Sequence, residues 1–214
     1  HTSIIPHGIY KESKINLTNK KKNILFVGKL NHAKGYHIFS EAALKFKKID
    51  PSWNFIAIGN EARKEIFPDK NIVKEIGYKK NSEVLNYYSN SEIAIGNSVW
   101  DEPLGRIAIE ASSRKCLPII SNKGGLAESK NIALVLKKNS SLELVNILKK
   151  ITKNKFLRRQ KQKIFYKNNN FDIKTISKML DKIRAEIINN QKNVHATNKK
   201  RILHIANFNE NSDG

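Results

Sequence analysis

Ile24-Leu25-Phe26-Val27-Gly28-Lys29-Leu30-Asn31-His32-Ala33-Lys34-Gly35 decides the fold class. A short apolar run ends in glycine, and a polar loop with two lysines follows. Ile38, Ala42 and Phe46 then recur at helical spacing within residues 35–48. The run shows no polar alternation, so it reads as a strand buried on both faces, as in a parallel sheet. The form returns along the chain. Phe55–Gly59 repeats it, Ile72-Val73 with Ile76-Gly77 is a weaker third, and Ile93–Gly96, Leu117–Ser121 and Ala133–Leu136 follow. Helical stretches lie between them. Ser82 can cap one bearing Val84, Leu85 and Tyr88, and residues 105–115 carry Ile107, Ala108, Ala111 and Ser112 on one side. Ser141 can cap a helix with Leu142, Val145, Leu148 and Ile151. Asp172 can cap a last helix in which Ile173, Ile176, Leu180, Ile183 and Ile187 follow a 3-4-3-4 pattern. This alternation predicts a doubly wound α/β domain with a parallel sheet and a ligand at the carboxyl ends of its strands.

The chain has 214 residues, with 40 Lys+Arg against 19 Asp+Glu and a formal net charge of +21. Hydrophobic residues make up 39%, grouped in short runs, which is enough for a core and argues against wholesale disorder. No apolar run reaches the roughly 18–20 residues of a membrane span. A single cysteine, Cys116, excludes an internal disulfide and a cysteine-built zinc site, and suits a reducing compartment. The chain opens on His1, its only methionine is Met179, and Asn211–Gly214 follow directly on a strand-like run; a piece of a longer protein is expected to look so. Residues 1–188 are expected to form the α/β domain, and 189–200 a polar linker. Residues 201–214, with the strand-like Ile202–Ala206, are expected to open a further unit; the alternative is one more strand on the existing sheet.

Three blocks carry candidate chemistry. Trp100-Asp101-Glu102-Pro103-Leu104-Gly105-Arg106-Ile107-Ala108-Ile109-Glu110-Ala111 follows a strand and opens a helix. Gly105 permits an unusual backbone angle, and the amides of the first turn favour an anion. Glu102 and Glu110 each offer two acceptor oxygens, suited to a sugar or ribose diol; the alternative is a helix cap and a solvated helix residue. In the opening block, Lys29 and Lys34 lie at a strand's carboxyl end beside a helix start, where they can neutralise a diphosphate or stand solvated. Ser121-Asn122-Lys123-Gly124-Gly125-Leu126-Ala127-Glu128 runs a strand into a Gly-Gly turn that can expose amides or be only a turn. Neither G-x-x-x-x-G-K-[ST] nor G-x-G-x-x-G is present.

In order and strand-end placement the blocks resemble the donor-binding domain of GT-B glycosyltransferases of the family-four retaining group. That pattern runs G-R-L-x-x-x-K-G, then E-P-x-G-x-x-x-x-E-A, then P-x-I-x-S-x-x-G-G-x-x-E. Gly28-Lys29-Leu30 with Lys34-Gly35, Glu102-Pro103 with Gly105 and Glu110-Ala111, and Pro118 through Glu128 match it, over roughly residues 1–188. Ile4-Ile5-Pro6-His7-Gly8-Ile9 resembles the family's I-P-N-G-[IV] opening, with His7 in place of Asn. Lys29 stands where the family has Arg, which keeps the charge and loses the bidentate fork. Lys115 stands where the family often has Gly.

The resemblance implies a nucleotide-sugar donor and transfer of a hexosyl-type sugar, with retention, to a glycan or lipid-linked acceptor, as in polysaccharide or lipopolysaccharide synthesis. It implies that Lys29 and Lys34 hold the diphosphate and stabilise it as it leaves. Glu102 would approach the sugar, with Gly28 and the amides around Leu104, Gly105 and Arg106 alongside. Glu110 would take the ribose hydroxyls, and the loops after Gly59 and Gly77 would border the base. No cofactor is implied, and with no D-x-D no metal-held diphosphate is indicated. In such enzymes the acceptor binds a preceding domain, so this chain alone is expected to bind donor weakly and transfer nothing. A cytoplasmic location, with peripheral contact to the inner face of a membrane, fits that chemistry. Lys200–Phe208 resembles the first strand of a GT-B N-terminal domain.

Positive charge concentrates between Lys137 and Lys167, where Glu143 is the only acid. A solvated face on two helices is the plain reading, and Phe156, Phe165 and Tyr166 read as packing positions. The rival readings are docking on an anionic membrane and nucleic-acid binding without catalysis. No nucleic-acid module is recognisable, so a nucleic-acid partner is not expected.

Overall fold

A computed structural model describes residues 8–194. Ile4–His7 of the expected domain opening, the end of the expected linker, and the strand-like Ile202–Ala206 lie outside the described residues. Six strands form one parallel sheet: β1 Lys21–Val27, β2 Asn54–Ile58, β3 Val73–Glu75, β4 Ser91–Gly96, β5 Leu117–Ser121 and β6 Leu134–Leu136. Their spatial order is β3-β2-β1-β4-β5-β6. The helices are α1 Tyr36–Lys47, α2 Asn81–Asn90, α3 Arg106–Ser113, α4 Gly124–Ala127, α5 Ser141–Lys153, α6 Lys155–Asn168 and α7 Ile173–Val194.

The unbroken apolar runs are strands because both faces are covered. Ile24, Phe26, Phe55, Ala57, Ile93 and Ile95 belong to one cluster with Phe39, Ala42 and Phe46 of α1 and Leu144, Leu148 and Ile151 of α5. Leu25, Ile58 and Ala94 belong to the other, with Val84 and Tyr88 of α2 and Ala111 of α3. Neighbouring strand residues thus take opposite faces. Each fully buried Phe, Leu or Ile contributes on the order of 1.5–3 kcal/mol.

Two caps differ from expectation. α2 begins at Asn81, so Ser82 lies inside it and Lys80 is the N-cap; the Glu83 carboxylate accepts from the Lys80 N–H at 3.1 Å. α5 is capped one residue before Ser141, by Ser140; the Ser140 hydroxyl accepts from the Glu143 N–H. Glu143 in turn receives the amides of Lys137 and Lys138, which sets that frame. Asp172 caps α7 as expected, accepting from the Thr175 N–H at 3.2 Å. α7 runs to Val194, so residues 189–194 continue the helix where a linker was expected to begin.

The basic segment is not wholly solvated. Arg158 and Arg159 turn inward onto Glu92 at the start of β4, which is 2% exposed. Arg159 forks onto both carboxylate oxygens at 2.7 Å, Gln162 adds a bond at 2.9 Å, and Arg158 lies 5.2 Å from the Trp53 ring centre. A buried carboxylate needs such partners. Phe165 is buried, whereas Phe156 is 78% exposed: it stands on the outer face of α6 with Lys163 and Lys167.

Candidate functional site

The order of the sheet reverses at β1. The chain leaves β1 toward β2 and leaves β4 toward β5, in opposite directions, so the carboxyl ends of β1 and β4 part and leave a crevice. A cleft of about 540 Å³ opens there. Val27 and Gly28 line it from β1, Gly96 and Ser98 from β4, Lys34 from the β1–α1 loop, and Glu102 through Arg106 with Glu110 from the β4–α3 segment.

The loop bearing Glu102 is held from below. Ser98 Oγ and the amides of Val99 and Trp100 donate to the Ala33 carbonyl, and Asn139 Nδ2 donates to the carbonyls of Asn97 and Ser98. The Gly124-Gly125 turn completes the support. Its amides are spent on the Asp101 carboxylate and the Glu102 carbonyl, so they brace this loop and do not face a ligand. Gly105, at φ 64°, is the N-cap of α3, and a Cβ there would come within 2.6 Å of Leu126. The left-handed turn starts α3 at the cleft, where its first residues, Arg106 and Ile107, are among the lining.

Two ion pairs stand in the cleft. Lys34 Nζ donates to both oxygens of Glu102, at 2.6 and 2.8 Å, and lies 5.3 Å from the Trp100 ring centre. Glu110 sits inside α3, buried, with Arg106 at 2.9 Å and Asn81 Nδ2 at 3.5 Å. Burial pushes the Glu110 carboxyl up, and the Arg106 guanidinium opposes this. Tyr88 is fully buried beneath the same wall, and no partner for its hydroxyl is found among the described residues.

The structure thus brings together Gly28, Lys34, Glu102, Leu104, Gly105, Arg106 and Glu110. Lys29 is exposed and is not among the lining residues. Gly59 and Gly77 also stand outside the lining. A Cβ on Gly59 would lie 1.9 Å from the Gly28 carbonyl oxygen, so this glycine serves the close approach of the loops after β1 and β2. The residues after Gly77, Tyr78 and Lys79, do line the cleft. Asn81 and Tyr88 carried no sequence signal as site residues, because only the packing of α2 on α3 brings them there. Among the described residues, no three His, Cys, Asp or Glu side chains gather as a metal cage, and no helix is long and apolar enough to cross a membrane.

The family model described as "Glycosyl transferases group 1" matches residues 10–170. Spore coat protein SA of Bacillus subtilis (strain 168) is 31% identical over 121 residues, covering 50% of this chain and 32% of that protein. The crystal structure of Anabaena Alr3699/HepE in complex with UDP superposes with a TM-score of 0.68 at 18% identity, over 78% of this chain and 49% of that one. The C-terminal domain of LpcC, a glycosyl transferase group 1 family protein of Francisella tularensis, gives 0.64 at 22% identity, over 77% of this chain and 96% of that one. The chain therefore spans about a third of the curated relative and about half of HepE. At these identities the superpositions show the fold, a Rossmann-like GT-B C-terminal half, while the family match extends over most of the sequence and over every lining residue of the cleft: the chain belongs to the glycosyl transferases group 1 family.

Proposed function

We propose that this chain is the donor half of a glycosyltransferase: it binds a nucleotide-diphosphate sugar in the β1/β4 cleft and stabilises the diphosphate as it leaves. The observation that carries this is the pairing of two carboxylates with two cations along one cleft, Lys34 with Glu102 and Arg106 with Glu110. A nucleotide-sugar needs this set: hydroxyl acceptors at the sugar and at the ribose, and positive charge between them. Breaking the bond from the anomeric carbon to the phosphate oxygen puts positive charge on the sugar and negative charge on the diphosphate. Lys34 and the α3 amides would meet the second of these, so their effect grows toward the transition state. Lys29 would add charge from the rim. Glu102 would lie by the sugar and Glu110 by the ribose, with Tyr78 and the loops after Gly59 and Gly77 toward the base.

Relatives solved with UDP and UDP-glucose make uridine nucleotides the first to try. The acceptor would be a glycan or a lipid-linked glycan, transfer would retain configuration, and the acceptor surface would come from the half that matched relatives have in addition. If the acceptor is lipid-linked, the outer face of α6, with Phe156 among lysines, is the surface that an anionic membrane would meet. Calorimetric titration with UDP, GDP and ADP tests the donor site. One of them should bind the wild-type chain, and Glu110→Ala and Lys34→Ala should each weaken it by about tenfold or more. The chain alone should release no sugar to an acceptor. Equal binding by all three proteins would overturn the site.

A further inference from the structure

We propose that the Arg106 side chain is a movable phosphate ligand: it holds Glu110 while the cleft is empty, and passes to the diphosphate when the ribose takes Glu110. The proposal rests on the donor-site reading above. Glu110 and Arg106 form an i,i+4 pair at 2.9 Å, and their side chains are unequal partners, 10% and 57% exposed. Glu110 is fixed inside a helix and packed. Arg106 is the first residue of α3, with a long side chain reaching into an open cleft.

Arg106 and Asn81 both bond Glu110 Oε1, so a ribose diol that places one hydroxyl on each carboxylate oxygen displaces a bond at that atom. Both partners are exposed, and Arg106, with its side chain 57% exposed, has the longer reach. It has somewhere to go, because its backbone stands at the N-terminal turn of α3, where amides favour an anion. The cleft also needs it there. Its lining holds three cations, Lys34, Lys79 and Arg106. Lys34 is shared between Glu102 and the diphosphate, Lys79 lies 3.7 Å from Glu83, and Lys29 is outside the lining. Arg106 is the only guanidinium among them, so it can supply the bidentate fork that Lys29 lacks. The exchange trades one charge-assisted pair for another and needs no movement of the backbone.

The rival account is that Arg106 stays on Glu110 and merely positions it for the ribose. The two predict opposite effects on a nucleoside that has no phosphate. UDP, GDP and ADP are screened against the wild-type chain, and the tightest is carried forward with its own nucleoside. Calorimetry reads the diphosphate, and an NMR titration reads the nucleoside into the millimolar range. Arg106→Ala should weaken the diphosphate by about tenfold or more and leave the nucleoside as tight or tighter, because Glu110 loses its internal competitor. Arg106→Lys should recover part of the loss, and Lys29→Ala should cost less than Arg106→Ala. A nucleoside weakened as much as the diphosphate, or a diphosphate unaffected by Arg106→Ala, overturns the proposal while the donor site stands. Failure of all three diphosphates to bind the wild-type chain overturns the donor site itself, and the proposal with it.

Discussion

Glu110 is a carboxylate that the fold holds at a cost. It lies inside α3, 7% exposed, where burial opposes its charge more than Arg106 and Asn81 favour it. Its folded pKa therefore lies above the unfolded value, so between the two the folded chain binds more protons and stability falls as pH rises. Glu110→Gln removes the charge and keeps the shape. In thermal melts without ligand the variant should be more stable than wild type at pH 7, by roughly 2–4 °C, the shift that about 1 kcal/mol gives a domain of this size. The gap should close as pH falls toward the unfolded value. The same variant should bind nucleotide less well, since an amide offers one acceptor where a carboxylate offers two. A variant less stable at pH 7 would show that the Arg106 pair outweighs desolvation. Cys116 makes a contrast: it is also buried, its thiol is pushed up to about 12, and it stays an inert packing group.

At the scale of elements, the two walls of the cleft are tied at their far ends. Lys20, just before β1, donates to the carbonyls of Tyr88 and Ser89 in the last turn of α2, of Ser91 at the start of β4, and of Arg114 after α3, at 2.8–3.1 Å. Burial pushes its pKa down to about 8, so it remains a cation at neutral pH, where helix C-termini favour one. Lys20→Met would take from these carbonyls the one donor they share. Urea unfolding should show a loss of at least about 2 kcal/mol, and nucleotide binding should weaken as α2 and α3 loosen. An unchanged midpoint would show that water replaces the ammonium. The sequence placed a lysine here but could not single it out among its many neighbours, because its four acceptors come from two distant segments, 88–91 and Arg114. The helix caps were one or two residues off for a related reason. Ser140 and Ser141 are equivalent candidates in the sequence, and only the fold-back of Glu143 onto Lys137 and Lys138 decides between them.

At the scale of the whole molecule, a net charge of +21 is a property of the surface more than of the site. Only a few cations face the cleft, and two of the arginines in the basic segment neutralise the buried Glu92. Binding of a nucleoside diphosphate in a recessed cleft is therefore expected to weaken only a few-fold between about 0.1 and 0.3 M salt. Any association with duplex DNA should collapse by orders of magnitude over the same range and be indifferent to Glu110→Ala. Duplex binding that resists salt and is lost with Glu110 would reverse the assignment.

The sequence by itself determined the parallel α/β fold, because runs such as Ile24–Val27 and Ile93–Ile95 are apolar at every position and can be strands only under two layers of helices. It also placed Lys34, Glu102 and Gly105 near one another, since each lies in a loop after the carboxyl end of a strand, with Glu110 on the helix that one of these loops opens. It took the packed tertiary structure to show that the Gly-Gly turn braces the Glu102 loop, that Lys29 stands outside the cleft, and that Asn81 and Tyr88 belong to its wall. Spacing along a chain records local geometry. These last facts are distances between elements, and they exist only once α2, α3 and the sheet have packed.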